Sequence, residues 1–211
     1  MFQPFGVTFD NRGNLIISDT GNNKLRRIDV RNGIITTVVG DGNQGFFGDF
    51  EMATRAKVQT PDGVAVDSEG NVYFTDTLNS RIRRVDHETN VITTVAGDGS
   101  FAFSGDGGPS YSATLRKPGG MVVDNHDNIF FTDTNNHRVR KIEAITDIIS
   151  TVAGTGISGF TGDGSEATRA ELNFPSDVDV DLNGNLFIAD TGNNRIRRVD
   201  SVTGAITTVV G

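Results

Sequence analysis

The chain of 211 residues has a net charge of −8 and contains 26 glycines, 5 prolines and no cysteine. The absence of cysteine excludes disulfide and thiolate chemistry, and the negative charge disfavours non-specific binding to nucleic acid or to an anionic membrane. No apolar run approaches the roughly 18–20 residues of a membrane-spanning helix, so we expect no membrane insertion.

One pattern of 57 residues recurs along the whole chain without a shift in register, and its copies begin at Pro4, Pro61, Pro118 and Pro175. A fixed period of this size predicts a repeat architecture and not two independent domains. We therefore expect residues 1–211 to form a single array with copies at 4–60, 61–117, 118–174 and 175–211.

The second copy shows the predicted elements in chain order. It contains four short segments rich in β-branched and aromatic residues, at 64–67, 72–76, 81–86 and 91–96. Between the first two, Ser68-Glu69-Gly70-Asn71 predicts a hairpin turn with Gly70 at positive φ. A sheet of four short antiparallel strands cannot bury its faces alone, and radial stacking of such sheets gives a β-propeller. The predicted fold is therefore all-β, a propeller of four-stranded antiparallel blades.

A longer segment follows the fourth strand of each of the first three copies, at 40–60, 97–117 and 154–174. In each segment a phenylalanine (Phe46, Phe103 or Phe160) is followed two residues later by Gly-Asp. We predict a structured connection between blades, with one or two helical turns near 165–172 in the last copy. In an up-and-down blade this connection shares a face of the disc with the turn between the second and third strands.

The pattern Pro-x-Gly-Val-Ala-Val-Asp-x-x-Gly-Asn-x-Tyr-x-x-Asp-x-x-Asn-x-Arg-Ile-Arg resembles the NHL repeat, and the resemblance extends from Pro4 to Gly211. The resemblance implies a propeller that usually closes with five or six blades. Four copies therefore predict part of a larger ring or a ring completed by other chains, with a closed four-bladed ring as the less favoured alternative. The open ends of such an array would expose apolar blade faces and favour self-association.

Two charged positions recur in every copy: an aspartate that ends the second strand and an arginine seven residues later. A ring of charge for a ligand is one interpretation, but a catalytic site would require one blade to differ from the others. We therefore predict a structural role, in which the aspartate caps its turn and pairs with the strand arginine. The residues are Asp19, Asp76, Asp133 and Asp190 with Arg26, Arg83, Arg140 and Arg197.

Basic pairs such as Arg83-Arg84 could indicate RNA binding, which some NHL proteins perform through a basic face. Adjacent residues of a strand point to opposite faces, so one arginine of each pair is expected to lie between blades. Together with the negative net charge, this predicts no nucleic-acid partner.

The candidates for a metal site are few. His87, His126 and His137 occupy different positions of the repeat, whereas zinc ligands must converge about 2.0–2.1 Å from the metal. The Gly-Asp-Gly loops, richest at Asp98 and Asp106, suggest calcium, but each provides only one or two carboxylates. We predict no catalytic residue and no cofactor, with calcium as the alternative.

The residues that differ between copies indicate where a partner would bind, because loops on a rigid scaffold commonly carry binding sites. The recurring Phe46, Phe103 and Phe160 are expected to fill gaps between blades. The predicted partner-binding face comprises Phe47, Phe50, Phe101 and Tyr111 with Asn79, Asn136, His137 and Asn193.

Three functions follow from these patterns. The first is a non-enzymatic scaffold that binds protein or glycan partners as part of a larger secreted or cell-surface protein. The second is a structural module that self-associates through open blade ends. The third, implied by the family resemblance alone, is a metal-dependent enzyme of the NHL lyase or lactonase type.

Overall fold

The computed structural model describes residues Met1–Gly211 and contains sixteen β-strands in four sheets. Each sheet has four antiparallel strands in chain order, so that every copy of the repeat forms one blade. The strands are β1 Val7–Phe9, β2 Leu15–Asp19, β3 Lys24–Ile28 and β4 Ile35–Val39 in the first blade; β5 Pro61–Val66, β6 Val72–Asp76, β7 Arg81–Val85 and β8 Ile92–Ala96 in the second; β9 Pro118–Val123, β10 Ile129–Asp133, β11 Arg138–Ile142 and β12 Ile149–Ala153 in the third; and β13 Asp177–Val180, β14 Leu186–Asp190, β15 Arg195–Val199 and β16 Ile206–Val210 in the fourth.

The first two strands of each blade are joined by a turn that an aspartate holds together. In the second blade, Asp67 Oδ1 accepts hydrogen bonds from the backbone N–H groups of Glu69 and Asn71, and Gly70 has the predicted positive φ of 93°. This conformation suits glycine because a Cβ atom would be strained there. The second and third strands are joined by a single 3₁₀ turn in every blade.

Three apolar clusters lie between successive blades and form the core. Between the first two blades, Ile16 and Leu25 pack against Val64, Phe74 and Val85, and equivalent residues fill the next two interfaces. The first strands of neighbouring blades also pack together, β1 on β5, β5 on β9 and β9 on β13. The core is therefore divided among the blade interfaces, as expected for a propeller.

The array is open, because no comparable packing joins β13 to β1. The open end exposes apolar side chains on the first blade. Val7 is 60% exposed, whereas its equivalent Val64 in the second blade is 5% exposed. Blades one and four thus each present an apolar face that is buried at the three internal interfaces.

Each connection between blades contacts the turn between the second and third strands of the following blade, as predicted, and then pairs with the outer edge of that blade. In the first connection, Phe50 N–H donates to Ile92 O (2.8 Å) and Ile92 N–H donates to Glu51 O (2.9 Å), so the segment pairs with the outer strand of the second blade. The edge of an outer strand has unpaired backbone groups, and the connection satisfies them. Each connection also contains only one short 3₁₀ turn: Ala53–Arg55, Ser110–Ser112 or Ala167–Arg169.

No helix in the chain combines the length and the apolar character needed to cross a membrane.

The open first blade allows a direct test of this packing. Ile92 is completely buried in the second blade, while Ile35 at the same repeat position of the first blade is 40% exposed. Ile92→Ala should lower the free energy of unfolding by about 2–5 kcal/mol, the usual range for a buried isoleucine. Ile35→Ala should cost less than about 1 kcal/mol, because its site is already open to solvent. Chemical denaturation of both variants checks this, and equal losses would contradict the open arrangement.

Candidate functional site

The recurring aspartate at the end of the second strand organises a buried polar cluster. Asp76 Oδ1 accepts hydrogen bonds from the backbone N–H of Gln59 (2.7 Å) and from Asn79 Nδ2 (2.8 Å). Its Oδ2 atom lies 3.3 Å from Arg83 Nη1, and both side chains are completely buried. The carboxylate therefore joins the preceding connection, the 3₁₀ turn and the third strand. The sequence predicted that this aspartate would cap the backbone of its own turn, but its side chain makes no such hydrogen bond.

The preceding connection supplies a second carboxylate to the same arginine. Asp49 Oδ1 lies 2.7 Å from Arg83 Nη2, and Asp49 Oδ2 accepts a hydrogen bond from Thr94 Oγ1 (2.7 Å). The ring of Phe46 lies 3.8 Å from the guanidinium carbon of Arg81 and 4.9 Å from that of Arg83, a cation–π geometry. Two carboxylates and an aromatic ring thus compensate the buried charge of one arginine.

The third and fourth blades repeat this arrangement. Their ion pairs are Arg140 with Asp106 (2.7 Å) and Asp133 (3.6 Å), and Arg197 with Asp163 (2.7 Å) and Asp190 (3.5 Å). Phe103 stacks on Arg138 at 3.7 Å, and Phe160 stacks on Arg195 at 3.9 Å.

The first blade has the same two charged positions without the same contacts. Asp19 accepts hydrogen bonds from the Phe2 N–H (2.6 Å) and from Asn22, but Asp19 and Arg26 do not form an ion pair. Arg26 Nη1 instead donates to Thr37 Oγ1 at 2.8 Å. No connection from a preceding blade lies against Arg26, so both the loop carboxylate and the aromatic ring are missing.

Burial raises the pKa of the Asp76 and Asp133 carboxyls to about 6, and the nearby arginines and hydrogen bonds offset only part of this effect. The cause is the removal of the charged carboxylate from water. The two carboxyls occupy the same position of the recurring ion-pair cluster.

Four of the predicted partner-binding residues belong to the scaffold instead. Asn79 Nδ2 donates both to Asp76 and to Gly45 O (2.8 Å), so its amide N–H groups are already used. Asn136 and Asn193 make the equivalent bonds. His137 Nδ1 accepts a hydrogen bond from the Phe174 N–H (3.1 Å), and the two rings stack edge to face at 4.5 Å. Polar contacts between a turn and a connection that is distant in the chain leave no local signal in the sequence.

The other four predicted residues are solvent-exposed aromatics on the first two connections: Phe47, Phe50, Phe101 and Tyr111. None of them recurs, since the sister copies have Ser104 and Thr161 at the Phe47 position and Gly107 and Gly164 at the Phe50 position. Phe50 is 81% exposed and has a φ of 68°, a left-handed conformation that its glycine equivalents also adopt. A phenylalanine in this conformation is strained, because its Cβ approaches the backbone.

The inner strands of the four blades line a central groove of about 380 Å³. Asp177 extends from β13 on its wall, where the other three copies have Gly6, Gly63 and Gly120. The Asp177 side chain packs so closely on Gly120 that a Cβ atom would not fit there. At the adjacent repeat position, burial raises the pKa of Asp62 to about 6. Neither aspartate was predicted as a site residue from the sequence. Each occurs in only one copy of the repeat, and this difference could have identified it.

No group of three or more histidine, cysteine or acidic side chains comes together in a metal-binding arrangement. Of the two calcium candidates, Asp106 is paired with Arg140, and Asp98 Oδ1 accepts a hydrogen bond from the Ser100 N–H (2.7 Å). Both carboxylates thus have protein partners that account for their positions in the loop.

Two family profiles match the chain. The one described as the teneurin NHL domain matches residues 42–104, and the one described as the NHL repeat matches residues 115–142 and 172–199.

Similar curated proteins include Protein SUPPRESSOR OF QUENCHING 1, chloroplastic, of Arabidopsis thaliana, at 29% identity over 93% of this chain and 19% of that protein. Teneurin-1 of Mus musculus is 28% identical over 93% of this chain and 8% of its own length. NHL repeat-containing protein 2 of Homo sapiens is 33% identical over 49% of this chain and 15% of its own length. The chain spans about a fifth or less of each of these relatives.

Two solved structures share the fold at low sequence identity. A Bacteroides thetaiotaomicron protein of unknown function superimposes with a TM-score of 0.72 at 20% identity, over 92% of this chain and 46% of that one. A catalytically inactive virginiamycin B lyase from Staphylococcus aureus superimposes with a TM-score of 0.61 at 18% identity, over 97% of this chain and 54% of that one. At these identities the comparison establishes the fold alone.

The aspartate that ends the second strand should contribute more to the free energy of unfolding in the second blade, where it pairs with a buried arginine, than in the first blade. Asp76→Ala leaves Arg83 buried beside a single remaining carboxylate, and disrupting a buried ion pair in this way costs about 3–5 kcal/mol. Asp19→Ala is the matched control, because it removes hydrogen bonds but leaves no buried arginine unpaired. Chemical denaturation should show a clearly larger loss for Asp76→Ala. Equal losses would contradict a structural role for the ion pair.

The partly buried carboxylate of Asp62 should make stability depend on pH. Because its pKa is raised to about 6 in the folded protein from an ordinary value of 3.8, the stabilisation from its protonation is fully present below about pH 4. This stabilisation is lost as the pH rises through about 6. Asp62→Asn cannot ionise, so it should lose less stability than the wild type between pH 4 and pH 7. Melting temperatures across this range test the difference, with the exposed Glu88→Gln as control, and parallel curves for all three proteins would refute it.

Proposed function

The chain belongs to the NHL-repeat β-propeller family, and on that basis we propose that it is a non-enzymatic scaffold that binds a protein partner at its rim. The observation that carries this proposal is the conformation of Phe50. A large aromatic side chain lies in solvent at a left-handed backbone position where the sister copies have glycine. Strained residues that a fold does not require are concentrated at binding and active sites.

The neighbouring aromatics support the same surface. Phe47 and Phe50 lie on the connection that pairs with the second blade, and Phe101 and Tyr111 lie on the connection that pairs with the third. Aromatic side chains are enriched in protein–protein interfaces because they bury a large area for little loss of conformational freedom. The connections that carry them are fixed by backbone pairing to the outer strands and by the buried arginines. A partner would therefore meet a preformed surface.

Binding is favoured over catalysis because the buried charged groups are used in the repeated scaffold. Arg83, Arg140 and Arg197 are each compensated by two carboxylates, and the same pattern occurs in three blades. The lyase neighbour shares the fold at an identity too low to transfer its activity. A glycan is the alternative ligand for this surface, since exposed aromatic rings also stack on sugars.

Self-association is a second candidate function, and the open blade ends favour it. Val7 and Phe9 expose an apolar face on the first blade, and Val209 and Val210 expose one on the fourth. The same two faces meet at each internal interface, so two copies could pack head to tail in that geometry.

Substituting each aromatic with a residue from a sister copy should separate binding from stability. Phe50→Gly removes the strained side chain and restores the residue present at Gly107 and Gly164, so the melting temperature should stay unchanged or rise slightly. The same substitution should weaken partner capture at least tenfold, and Tyr111→Thr should act in the same direction. The wild type and both variants are immobilised and exposed in parallel to a cell-surface protein library and to a glycan array, and recovered ligands are titrated individually.

The controls make the outcome specific. Leu182→Ala changes an exposed apolar residue in the fourth blade, away from the aromatic connections, and should leave capture unchanged. Capture that is equally strong for the wild type and Phe50→Gly would refute the rim surface. Capture of glycans alone, lost in Phe50→Gly, would identify a sugar-binding rim and refute the protein partner.

A further inference from the structure

The pocket between the second and third blades differs in size and chemistry from its counterpart between the first and second blades. It lies on the face of the disc opposite the 3₁₀ turns and has a volume of about 380 Å³, against about 120 Å³ for the counterpart. Both blades and all of the connections that flank them lie within the chain, so every wall of the pocket is present. A volume above about 300 Å³ is typical of sites for small molecules.

Four substitutions between the two interfaces enlarge the pocket and make it acidic. At the first interface the His87 ring lies against Gly70, and Arg12 contributes a cation to the wall. The second interface has a smaller or an acidic residue at each equivalent position: Ala144 for His87, Asp127 for Gly70, Glu69 for Arg12 and Asp147 for Asn90.

One wall of the pocket is a buried carboxylate that no cation of the chain compensates. Asp67 is 7% exposed, and its carboxylate oxygens accept hydrogen bonds only from neutral groups of its own turn. Its equivalent in the first blade, Asp10, pairs with Arg27 at 3.2 Å. In the second blade the corresponding Arg84 pairs with Asp86 instead, at 3.1 Å. A buried charge without a counter-charge is costly, and a bound cation would remove this cost.

An aromatic ring lies beside this carboxylate, at a position that holds an ammonium group in the next blade. Phe130 is the equivalent of Tyr73, and the Nζ atom of its cross-strand neighbour Lys141 lies 6.0 Å from the ring centroid, a cation–π distance. Tyr73 is only half-buried, and its own cross-strand neighbour is the arginine that pairs with Asp86. Burial and the charge of Asp67 raise the pKa of Tyr73 to about 12, so its hydroxyl is a neutral group in the pocket.

The remaining wall of the pocket is apolar and is formed by Val95, Ile129 and Ile142. The acidic residues around it do not come together in an arrangement that could hold a metal ion. Separate carboxylates around an apolar wall suit an alkyl chain with several ammonium groups better than a metal ion, which requires converging oxygen ligands.

We infer that this interblade pocket, formed by Asp67, Glu69, Tyr73, Asp127 and Asp147, binds a small organic polycation, a diamine or polyamine. One ammonium group lies over the Tyr73 ring and pairs with Asp67. The other ammonium groups pair with the acidic residues at the mouth of the pocket, and the alkyl chain packs on the apolar wall. The inference goes beyond the proposed partner-binding role and is independent of the aromatic rim.

Spermidine is the probe for this pocket. Isothermal titration calorimetry of the whole chain with spermidine at low ionic strength should show saturable binding. An uncharged diol of the same length should give no binding heat, because it has no ammonium group. Hydrogen exchange should slow at residues 67–73 when spermidine is present and remain unchanged at residues 10–16, which line the counterpart pocket.

Substitutions taken from the sister copies test the lining of the pocket. Asp127→Gly combined with Asp147→Asn restores the residues of the first interface and should weaken spermidine binding by about tenfold or more, because two charge-assisted contacts are lost. Tyr73→Phe keeps an aromatic ring and should preserve binding, whereas Tyr73→Ile should weaken it. The charge-matched control is Glu51→Gln combined with Glu166→Gln, which removes two exposed carboxylates outside the pocket and should change the affinity less than about twofold.

Circular dichroism confirms that each variant is folded. No saturable binding, or an equal loss of affinity in the pocket variant and the charge-matched control, would overturn the inference, because binding would then follow net charge alone. Equal affinity of Tyr73→Ile and Tyr73→Phe would overturn the position of the ammonium group over the ring. Tighter binding of Nα-acetyl-lysine amide than of spermidine would assign the pocket to a lysine side chain of a protein and overturn the small-molecule ligand.

Discussion

The structure depends on the compensation of a buried arginine by two carboxylates from different parts of the chain. Arg83 lies in the third strand of its blade, Asp76 ends the second strand, and Asp49 comes from the connection that leaves the blade before. An uncompensated guanidinium in this position would be very costly, since removal of a charge from water is repaid only by well-placed partners. The ion pairs thereby require that the connection lie against the blade that follows it.

This requirement explains why the connections are not free loops. One part of each connection contacts the arginine cluster, and the following part pairs with the outer strand, whose edge would otherwise present unpaired backbone groups. The outer strand, the third strand and the connection are consequently positioned together. The exposed aromatic residues of the rim are held on this fixed support.

The periodicity of the sequence was sufficient to predict the propeller fold and its four-stranded blades. A constant spacing between copies leaves few architectures in which each copy contacts only its neighbours. The pairing of the connections with an outer strand could not be predicted, because it involves backbone groups that any sequence carries. The partners of Asn79 and His137 were also not predictable, since both bond to groups that are distant in the chain. Asp62 and Asp177 each occur in a single copy, so the repeat pattern does not identify them.

The direction in which the connections reach also sets an order of assembly. Each connection completes the arginine cluster of the blade that follows it in the chain, so the second, third and fourth blades depend on sequence that precedes them. A polypeptide leaves the ribosome with its N-terminus first. The preceding connection and the first three strands of a blade are therefore already available when its fourth strand is synthesised. Nascent blades can therefore consolidate one after another, and the array grows in the same direction as the polypeptide.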